Sequence, residues 1–173
     1  MQGAVRAFLN EHGSKGPPYP TTHQLVDYLR DAASEDYQQL ITDYWERITF
    51  WDLGLDNVEF RGEDGNYTVS LTAKVDKKIA TEETGKETSV TEIDGEDLNE
   101  WVEIGFYSSD PKDALGGDWI KLERVKITEL KTALTFNMPD KPTHVLIDPK
   151  RLLIERNVDD NTKKFGKLES TEG

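Results

Sequence analysis

Residues 67–75 read Tyr-Thr-Val-Ser-Leu-Thr-Ala-Lys-Val, a run in which apolar and polar side chains alternate. This two-residue period predicts a β-strand with one face in a core and the other face in water. Residues 62–66, a turn-rich segment that contains Asp-Gly, come directly before it and predict a hairpin with an earlier strand. The run therefore indicates an antiparallel sheet.

Similar short apolar patterns predict strands elsewhere in the second part of the chain. They lie at 48–51 and 58–60, which Gly54 separates, and at 101–107, 119–127, 130–138, 144–148 and 152–154. Within 119–127 the apolar phase changes between Leu122 and Val125, which predicts a β-bulge. About seven short strands over roughly a hundred residues are typical of an antiparallel, immunoglobulin-like β-sandwich.

The first part of the chain follows the 3.6-residue period of amphipathic helices instead. Val5, Phe8 and Leu9 predict a first helix over 4–12, which ends at Gly13 before a proline-rich connector. The spacing of these apolar residues indicates an amphipathic helix.

Two further helices are predicted after the connector. Thr21 and Gln24 fit a capping box, which marks the start of the second helix. Ser34 is the predicted N-cap of the third. The apolar residues of the third helix share one stripe that we expect to be buried, namely Tyr37, Leu40, Ile41, Tyr44 and Trp45.

The change of period near Arg47 predicts the domain organisation. We expect a helical segment over 1–46, a β-sandwich over 47–161 and a flexible tail over 162–173. The longest apolar runs span a few residues, far fewer than the ~20 of a membrane-crossing helix. The sequence therefore predicts no direct membrane insertion by this chain.

Composition excludes several functions. The chain has 21 basic and 34 acidic side chains and a net charge of −13, so its surface repels phosphate backbones. Nucleic acid is therefore not an expected partner. The absence of cysteine excludes disulfides, thiolate nucleophiles and cysteine-ligated zinc.

Acidic residues are concentrated over 80–100, where one lysine faces eight carboxylates. A mobile hairpin tip or loop is the expected structure of this segment. Weak binding of divalent ions, or docking of a basic partner, is the alternative function.

No catalytic constellation is present. The sequence lacks His-Glu-x-x-His and Gly-x-Ser-x-Gly, and His12, His23 and His144 lie singly. We therefore predict no catalytic residue, no metal ligand and no cofactor on this chain, while its substrate-binding residues stay unknown.

Two acidic turns offer oxygen ligands to calcium, at 110–113 and at 159–161. Neither has EF-hand spacing, so solvated loops are expected. Aromatic residues favour packing over sugar stacking, and we expect Trp51 and Trp101 to pack in the core. Tyr107 and Trp119 leave both interpretations open.

Three segments carry a resemblance to a known family. They read Lys-Gly-Pro-Pro-Tyr-Pro-Thr-Thr at 15–22, Ile-Thr-Phe-Trp-Asp at 48–52 and Ile-Glu-Arg-Asn-Val-Asp-Asp-Asn at 154–161. With them, nearly the whole chain resembles the segment that follows the catalytic zinc domain in membrane-bound relatives of aminopeptidase N. Some of these relatives are fused to an ABC-transporter permease.

The resemblance implies that residues 1–46 are the last helices of a catalytic domain, and that 47–161 form the sandwich that packs against it. The parental peptidase domain is then the partner in cis. The parent is expected to be an integral membrane protein and a zinc-dependent aminopeptidase-like hydrolase, with zinc in its catalytic domain. No family site residue maps onto this chain.

Two alternative functions stay open. The chain is alternatively a free-standing sandwich that binds carbohydrate or calcium. It is otherwise a protein-interaction domain that docks a basic partner on residues 80–100.

Overall fold

The computed structural model describes residues 2–63, 65–81, 85–93, 95–111 and 119–166. The chain divides into two compact units, Met1–Thr49 and Phe50–Gly173, which we call the helical unit and the β unit. The boundary lies three residues after the predicted one at 46.

The helical unit contains α1 (Gln2–His12), α2 (Thr22–Ala32) and α3 (Glu35–Trp45). The predicted capping box of α2 is confirmed, because the Thr21 backbone N–H donates to Gln24 Oε1 at 2.8 Å and the Gln24 backbone N–H donates to Thr21 Oγ1 at 3.4 Å. Ser34 occupies the N-cap of α3, but its side chain makes no capping hydrogen bond.

The core of the helical unit is small. Its buried apolar side chains are Ala4, Val26, Leu29 and Ile41. The predicted burial of the α3 stripe is largely wrong, because Tyr37, Tyr44 and Trp45 are more than a third exposed. Val5 and Leu9 of α1 are also exposed.

A polar contact explains why the aromatic stripe of α3 stays exposed. The Arg30 guanidinium of α2 donates to Gln38 Oε1 at 3.1 Å, to Thr42 Oγ1 at 2.8 Å and to Glu46 Oε2 at 2.6 Å. These three acceptors lie at four-residue spacing, so α3 turns this face toward α2. Its aromatic residues therefore lie beside the contact instead of within it.

The β strands form two sheets, and their bounds in chain order are β1 (Ile48–Glu63), β2 (Asn66–Ala80), β3 (Glu87–Ser89), β4 (Glu100–Tyr107), β5 (Trp119–Ile127), β6 (Lys131–Met138), β7 (His144–Ile147) and β8 (Thr162–Lys164). In the first sheet, β2 is hydrogen-bonded to β1, and it pairs antiparallel with β3 and with β6. The second sheet has the order β5-β4-β7-β8, and all its pairs are antiparallel.

Alternating residues from both sheets form one core. The first sheet contributes Val69, Leu71, Ala73 and Val75 of β2, as the sequence predicts, and the second contributes Val102, Ile104 and Phe106 of β4. The prediction of a mainly β fold, with antiparallel sheets in a sandwich-like arrangement after N-terminal helices, is thus confirmed.

Some predicted strand limits are wrong. The strands at 48–51 and 58–60 are one continuous strand, because Gly54 stays extended within β1. Residues 152–154 form no strand. The bulge predicted between Leu122 and Val125 is wrong, because these residues pair with β4 in unbroken register; the irregularity of β5 lies at Ile120, where Phe106 pairs with Lys121 while Tyr107 pairs with Trp119.

The sandwich also extends past the predicted end at 161. Thr162–Lys164 pairs with β7 as strand β8, and Phe165 is buried in the core. The start predicted for the flexible tail at 162 is therefore wrong, because an edge strand and an aromatic anchor occupy it. Residues 167–173 lie outside the described part of the chain.

Much of the acidic segment 80–100 is ordered against the β unit. It contains β3 and a 3-10 turn at Val90–Glu92, and Val90 and Leu98 are buried. These two apolar anchors contradict a mobile loop over the residues that the structure describes. Residues 82–84 and 94 lie outside that part.

Candidate functional site

The β unit contains an acidic pocket of about 290 Å³. Most of its lining comes from residues 148–161, which join β7 to β8 and which we call the closing loop. The charged and amide side chains of the lining are those of Asp110 from the segment after β4 and of Asp148, Arg151, Glu155, Asp159 and Asn161 from the closing loop.

Asp148 shapes the first turn of the closing loop. Its Oδ1 accepts the backbone N–H of Leu152 at 3.0 Å, and its Oδ2 accepts that of Leu153 at 2.9 Å. Asp148 itself has a φ of 48°, in the left-handed region that short polar side chains tolerate. Burial raises the pKa of this carboxyl, although the two backbone donors act in the opposite direction.

Glu155 fastens the loop to the first sheet. Its Oε1 accepts the backbone N–H of Leu53 in β1 at 2.7 Å, and its Oε2 accepts Asn161 Nδ2 at 2.6 Å. A second bond to β1 runs from the Trp51 backbone N–H to the Ile154 carbonyl at 2.9 Å. Burial raises the pKa of Glu155 as well.

Asn161 fastens the same loop to the second sheet. Its backbone carbonyl accepts the N–H of Ile147 in β7 at 3.0 Å. Both sheets therefore hold the closing loop, which fixes its side of the pocket. The Asn161 side chain is only 7% exposed, and its Oδ1 has no hydrogen-bond partner among the described residues.

The structure brings the two predicted calcium turns to one place, because Asp110 and Asp159 line the same pocket. The two are far apart in sequence, so spacing alone could not show this. Lys112 and Asp113 lie outside the described residues. No group of three His, Asp or Glu side chains in the described part of the chain is placed to hold a metal ion.

Sequence reasoning did not identify Asp148 and Glu155 as pocket residues. Asp148-Pro149 indicated only the end of a strand, and Glu155 entered only through the family resemblance. A polar residue directly after a buried strand was the available signal, since such a carboxylate often bonds backbone N–H groups nearby.

The three histidines lie in different surroundings. His144 is buried in β7, with its Nδ1 2.9 Å from Thr143 Oγ1. The His12 ring packs 4.9 Å from that of Phe8, measured between centroids. His23 is exposed in the first turn of α2.

The tryptophans divide between the core and the surface. Trp51 is 2% exposed, which confirms its predicted packing. The prediction for Trp101 is wrong, because its side chain is 47% exposed and the Arg124 guanidinium lies 5.0 Å from its ring centroid. Trp101 is out of phase with the inward-facing residues of β4, so the pleat turns it outward.

Tyr107 and Trp119 are paired across β4 and β5. Tyr107 is buried, and burial raises the pKa of its phenol. Trp119 is half-buried, and Lys150 Nζ lies 5.5 Å from its ring centroid. Both side chains thus have packing environments.

A buried ion pair joins the two sheets away from the pocket. Lys77 Nζ of β2 lies 3.0 Å from Glu100 Oε1 of β4, and Trp51 Nε1 donates to Glu100 Oε2 at 3.1 Å. Lys77 lies on the inward face of β2 with Val75, and Glu100 lies on the inward face of β4 with Val102. The pair is a structural element of the core, since both side chains are almost fully buried.

The fold and the pocket define a mainly β protein in which a doubly anchored loop carries an acidic cavity. None of the helices in the described residues is both long enough and apolar enough to cross a membrane. No protein-family model, curated protein or solved structure matches the chain.

Proposed function

We propose that the chain is a non-catalytic, immunoglobulin-like β-sandwich module of an aminopeptidase-N-like zinc metallopeptidase. In this proposal the helical unit completes the peptidase domain and the β unit supports that domain in cis. The zinc is held by the catalytic domain of the parent, a membrane-anchored hydrolase. The family resemblance of residues 15–22, 48–52 and 154–161 is the starting point.

The exposed stripes of the helical unit are the observation that supports this proposal. Leu9 is 57% exposed, Trp45 is 47% exposed and Tyr37 is 45% exposed, although each lies at the spacing of a buried helical face. Isolated domains rarely leave several large apolar side chains on short helices in water. Such stripes are expected on helices that pack against a further part of the same protein.

The chemistry of the β unit is also consistent with a supporting role. The buried carboxylates of Asp148 and Glu155 accept backbone N–H groups, and Glu100 accepts the N–H of Trp51. These are structural tasks. Within the described residues, no group of three His, Asp or Glu side chains is placed to hold a metal. The Thr143 hydroxyl lies 2.9 Å from His144 Nδ1, but it also lies 3.2 Å from the Tyr107 carbonyl, and His144 is buried.

Two assays test the proposal. The chain alone, supplied with zinc, is expected to leave an aminoacyl anilide intact, whereas the parent hydrolyses it. The reading frame of the parent is expected to encode His-Glu-x-x-His before this segment. Zinc-dependent cleavage by the chain alone, or a parent without that motif, contradicts the proposal.

A surface substitution tests the packing role directly. In the parent, Leu9→Ser combined with Trp45→Ser is expected to lower the melting temperature of the peptidase domain by several degrees, because apolar contacts are lost. Tyr19→Ser is the matched control, since Tyr19 is 73% exposed in the connector before α2. Equal melting temperatures for all three proteins contradict the packing role.

Among the described residues of the β unit, the exposed indole of Trp101 is the observation that favours the alternative of a carbohydrate-binding sandwich. The Arg124 guanidinium and the Lys126 ammonium lie 5.0 Å and 6.0 Å from that ring centroid, so a sugar would compete with two cations. Titration with a glycan panel tests this alternative. Binding that Trp101→Ala abolishes would support it over the peptidase module.

The alternative of a basic partner on residues 80–100 is weakened by internal pairing. Glu87 pairs with Arg156 at 2.6 Å, and Glu100 pairs with Lys77 at 3.0 Å. Both carboxylates are thus partly neutralised within the chain.

A further inference from the structure

We propose that Trp101, Arg124 and Lys126 form a docking surface for an acidic polypeptide segment of a partner protein. We call these three residues the basic platform. The inference rests on residues of the β unit alone and does not depend on the proposed function. It begins from two cations beside an exposed indole, in a chain whose net charge is −13.

The basic platform lies on the solvent face of the strand pair β4 and β5. Trp101 is directly opposite Lys126 in the antiparallel register, and Arg124 lies two residues before Lys126. The pleat therefore turns all three side chains to the same side, and all three are exposed. The neighbouring pair Val102 and Val125 faces the opposite way and contacts the core. The platform is thus a surface that the β unit presents to solvent.

Both cations of the basic platform contact the indole. The Arg124 guanidinium carbon lies 5.0 Å from the Trp101 ring centroid, and Lys126 Nζ lies 6.0 Å from it, within the range of cation–π attraction. Within the described residues, neither cation forms an ion pair. The carboxylates of β4 and β5 pair with other lysines, namely Glu100 with Lys77 at 3.0 Å, Glu103 with Lys150 at 3.0 Å and Glu123 with Lys121 at 2.7 Å. Arg124 and Lys126 therefore keep N–H donors for an external carboxylate.

The spacing of the two cations matches an extended acidic peptide. Residues two positions apart on a strand are about 6.5–7 Å apart, and side chains i and i+2 of an extended peptide have the same separation. Two carboxylates at those positions can face Arg124 and Lys126 together, and the guanidinium can bind its carboxylate through two parallel N–H donors. Because the indole already orders both cations, little conformational freedom is lost on binding.

Other occupants fit the basic platform less well. The phosphates of a nucleic acid strand follow one another at about 3.4 Å, so most of them would lie beyond the two cations, where the net charge of −13 repels them. A second copy that uses the same surface would bring like charges together, which is unfavourable. A short segment with two carboxylates avoids both penalties.

The experiment is an NMR titration of the full chain at low salt with the blocked peptide Ser-Gly-Glu-Ser-Glu-Gly-Ser. The peptide is expected to shift the indole N–H signal of Trp101 and the backbone amide signals of Arg124 and Lys126 until they saturate. The analogue with Gln in place of both Glu residues is expected to bind about tenfold more weakly, because two exposed ion pairs are lost. Equal binding of the two peptides, or shifts confined to other residues, overturns the proposal.

Two double variants locate the site. Arg124→Gln combined with Lys126→Gln is expected to weaken binding of the acidic peptide about tenfold, or about threefold for each exposed ion pair. Lys131→Gln combined with Lys141→Gln is the control, since it makes the same change of net charge at exposed positions outside the basic platform. The control is expected to change the affinity less than about twofold. Equal weakening by the two double variants overturns the site, because the peptide would then respond only to net charge.

Trp101→Leu tests the indole and is expected to weaken binding about threefold, because the cations lose the ring that orders them. The amide signals of Arg124 and Lys126 report this change, and unchanged binding overturns the role of the indole. Each substituted side chain is exposed, so the variants are expected to keep the melting temperature of the natural chain within a few degrees.

Two further measurements distinguish the occupants. An eight-residue oligothymidylate that binds the basic platform more tightly than the acidic peptide assigns a nucleic acid and overturns the proposal. Sedimentation of the chain without peptide tests a second copy, whose acidic segment 80–100 is the competing ligand. Self-association that Arg124→Gln combined with Lys126→Gln abolishes overturns the separate partner, whereas a monomer that binds the acidic peptide supports it.

Discussion

The helical unit and the β unit both consist of amphipathic segments, but they bury very different shares of their apolar residues. In the β unit the inward residues of β2 and β4 are nearly inaccessible, as Val69 and Ile104 illustrate at 0% exposure. In the helical unit the stripe residues Leu9 and Trp45 are about half exposed. Two facing sheets cover each other completely, whereas short helices cover only a narrow seam.

The two units also use polar contacts differently. In the β unit the pair of Lys77 and Glu100 is enclosed between the sheets, where water does not screen it. In the helical unit Arg30 contacts Glu46 at the surface, where the same kind of interaction is weak. The contrast predicts that single substitutions have large effects in the β unit and small ones in the helical unit.

The largest effect is expected from Lys77→Met. This change leaves the Glu100 carboxylate buried without the ammonium, and it is expected to lower the free energy of unfolding of the β unit by about 3–5 kcal/mol. Urea denaturation followed by tryptophan fluorescence measures the loss. The double variant Lys77→Met with Glu100→Gln is expected to recover most of it, because no charge is then buried.

A loss below about 1 kcal/mol in the single variant would show that the ion pair is solvated. The contrast between the two units would then be wrong in its polar part.

A smaller effect is expected from Asp148→Asn. The amide offers one oxygen to two backbone donors, those of Leu152 and Leu153, so one N–H loses its acceptor at about 1–3 kcal/mol. Urea denaturation again measures the change. Glu155→Gln is the matched control, because the amide of Asn161 reverses and both hydrogen bonds of residue 155 persist. Equal destabilisation by the two variants would contradict the assigned role of Asp148.

Within the helical unit, Thr21→Ala is expected to destabilise α2 by about 1 kcal/mol, because it removes the confirmed capping bond to Gln24. Ser34→Ala is the matched control, since Ser34 makes no side-chain capping bond at α3. Amide hydrogen exchange in each helix measures both changes. If Ser34→Ala increases the exchange rate in α3 more than Thr21→Ala increases it in α2, each relative to the natural chain, the cap assignment is contradicted.

The smallest effect is a pH dependence in the closing loop. Burial raises the folded-state pKa of Glu155 above its unfolded value, so the folded protein takes up this proton first as pH falls. Between the two pKa values, acidification therefore adds stability, and the penalty of burying the charge returns as pH rises through the folded pKa. Glu155→Gln is expected to be favoured over the natural chain at pH 7 and to lose that advantage toward pH 5. Urea midpoints at both pH values measure the difference, and an advantage that grows on acidification contradicts the raised pKa.

The strands were more predictable than the helical contacts for a geometric reason. Alternation in β2 places Val69, Leu71 and Val75 on one face whatever the sheet packs against. Of the apolar stripe of α3, Ile41 joins the core with Val26 and Leu29 of α2. The neighbouring Gln38 and Thr42 instead contact Arg30 of α2. A helical period thus identifies a surface without identifying what covers it.

The pocket was predictable only in fragments. The acidic turns containing Asp110 and Asp159 were visible as separate oxygen-rich segments, while the unmatched oxygen of Asn161 had no signal in the sequence. The orientation of the Asn161 amide depends on its hydrogen bond to Glu155 Oε2. The Glu155 carboxylate is in turn held by the Leu53 backbone N–H of β1, which lies beside the closing loop. Contacts between residues about a hundred positions apart leave no periodic trace.

The order of residues alone established the helical start, the change of period near Arg47, the antiparallel strands and the absence of cysteine chemistry, because each depends on near neighbours in the chain. The folded arrangement established the burial of Lys77 with Glu100, the exposure of Trp101 and the convergence of the acidic turns on one pocket. Those features depend on which face of one strand or loop meets another, and such long-range packing is encoded in no local pattern.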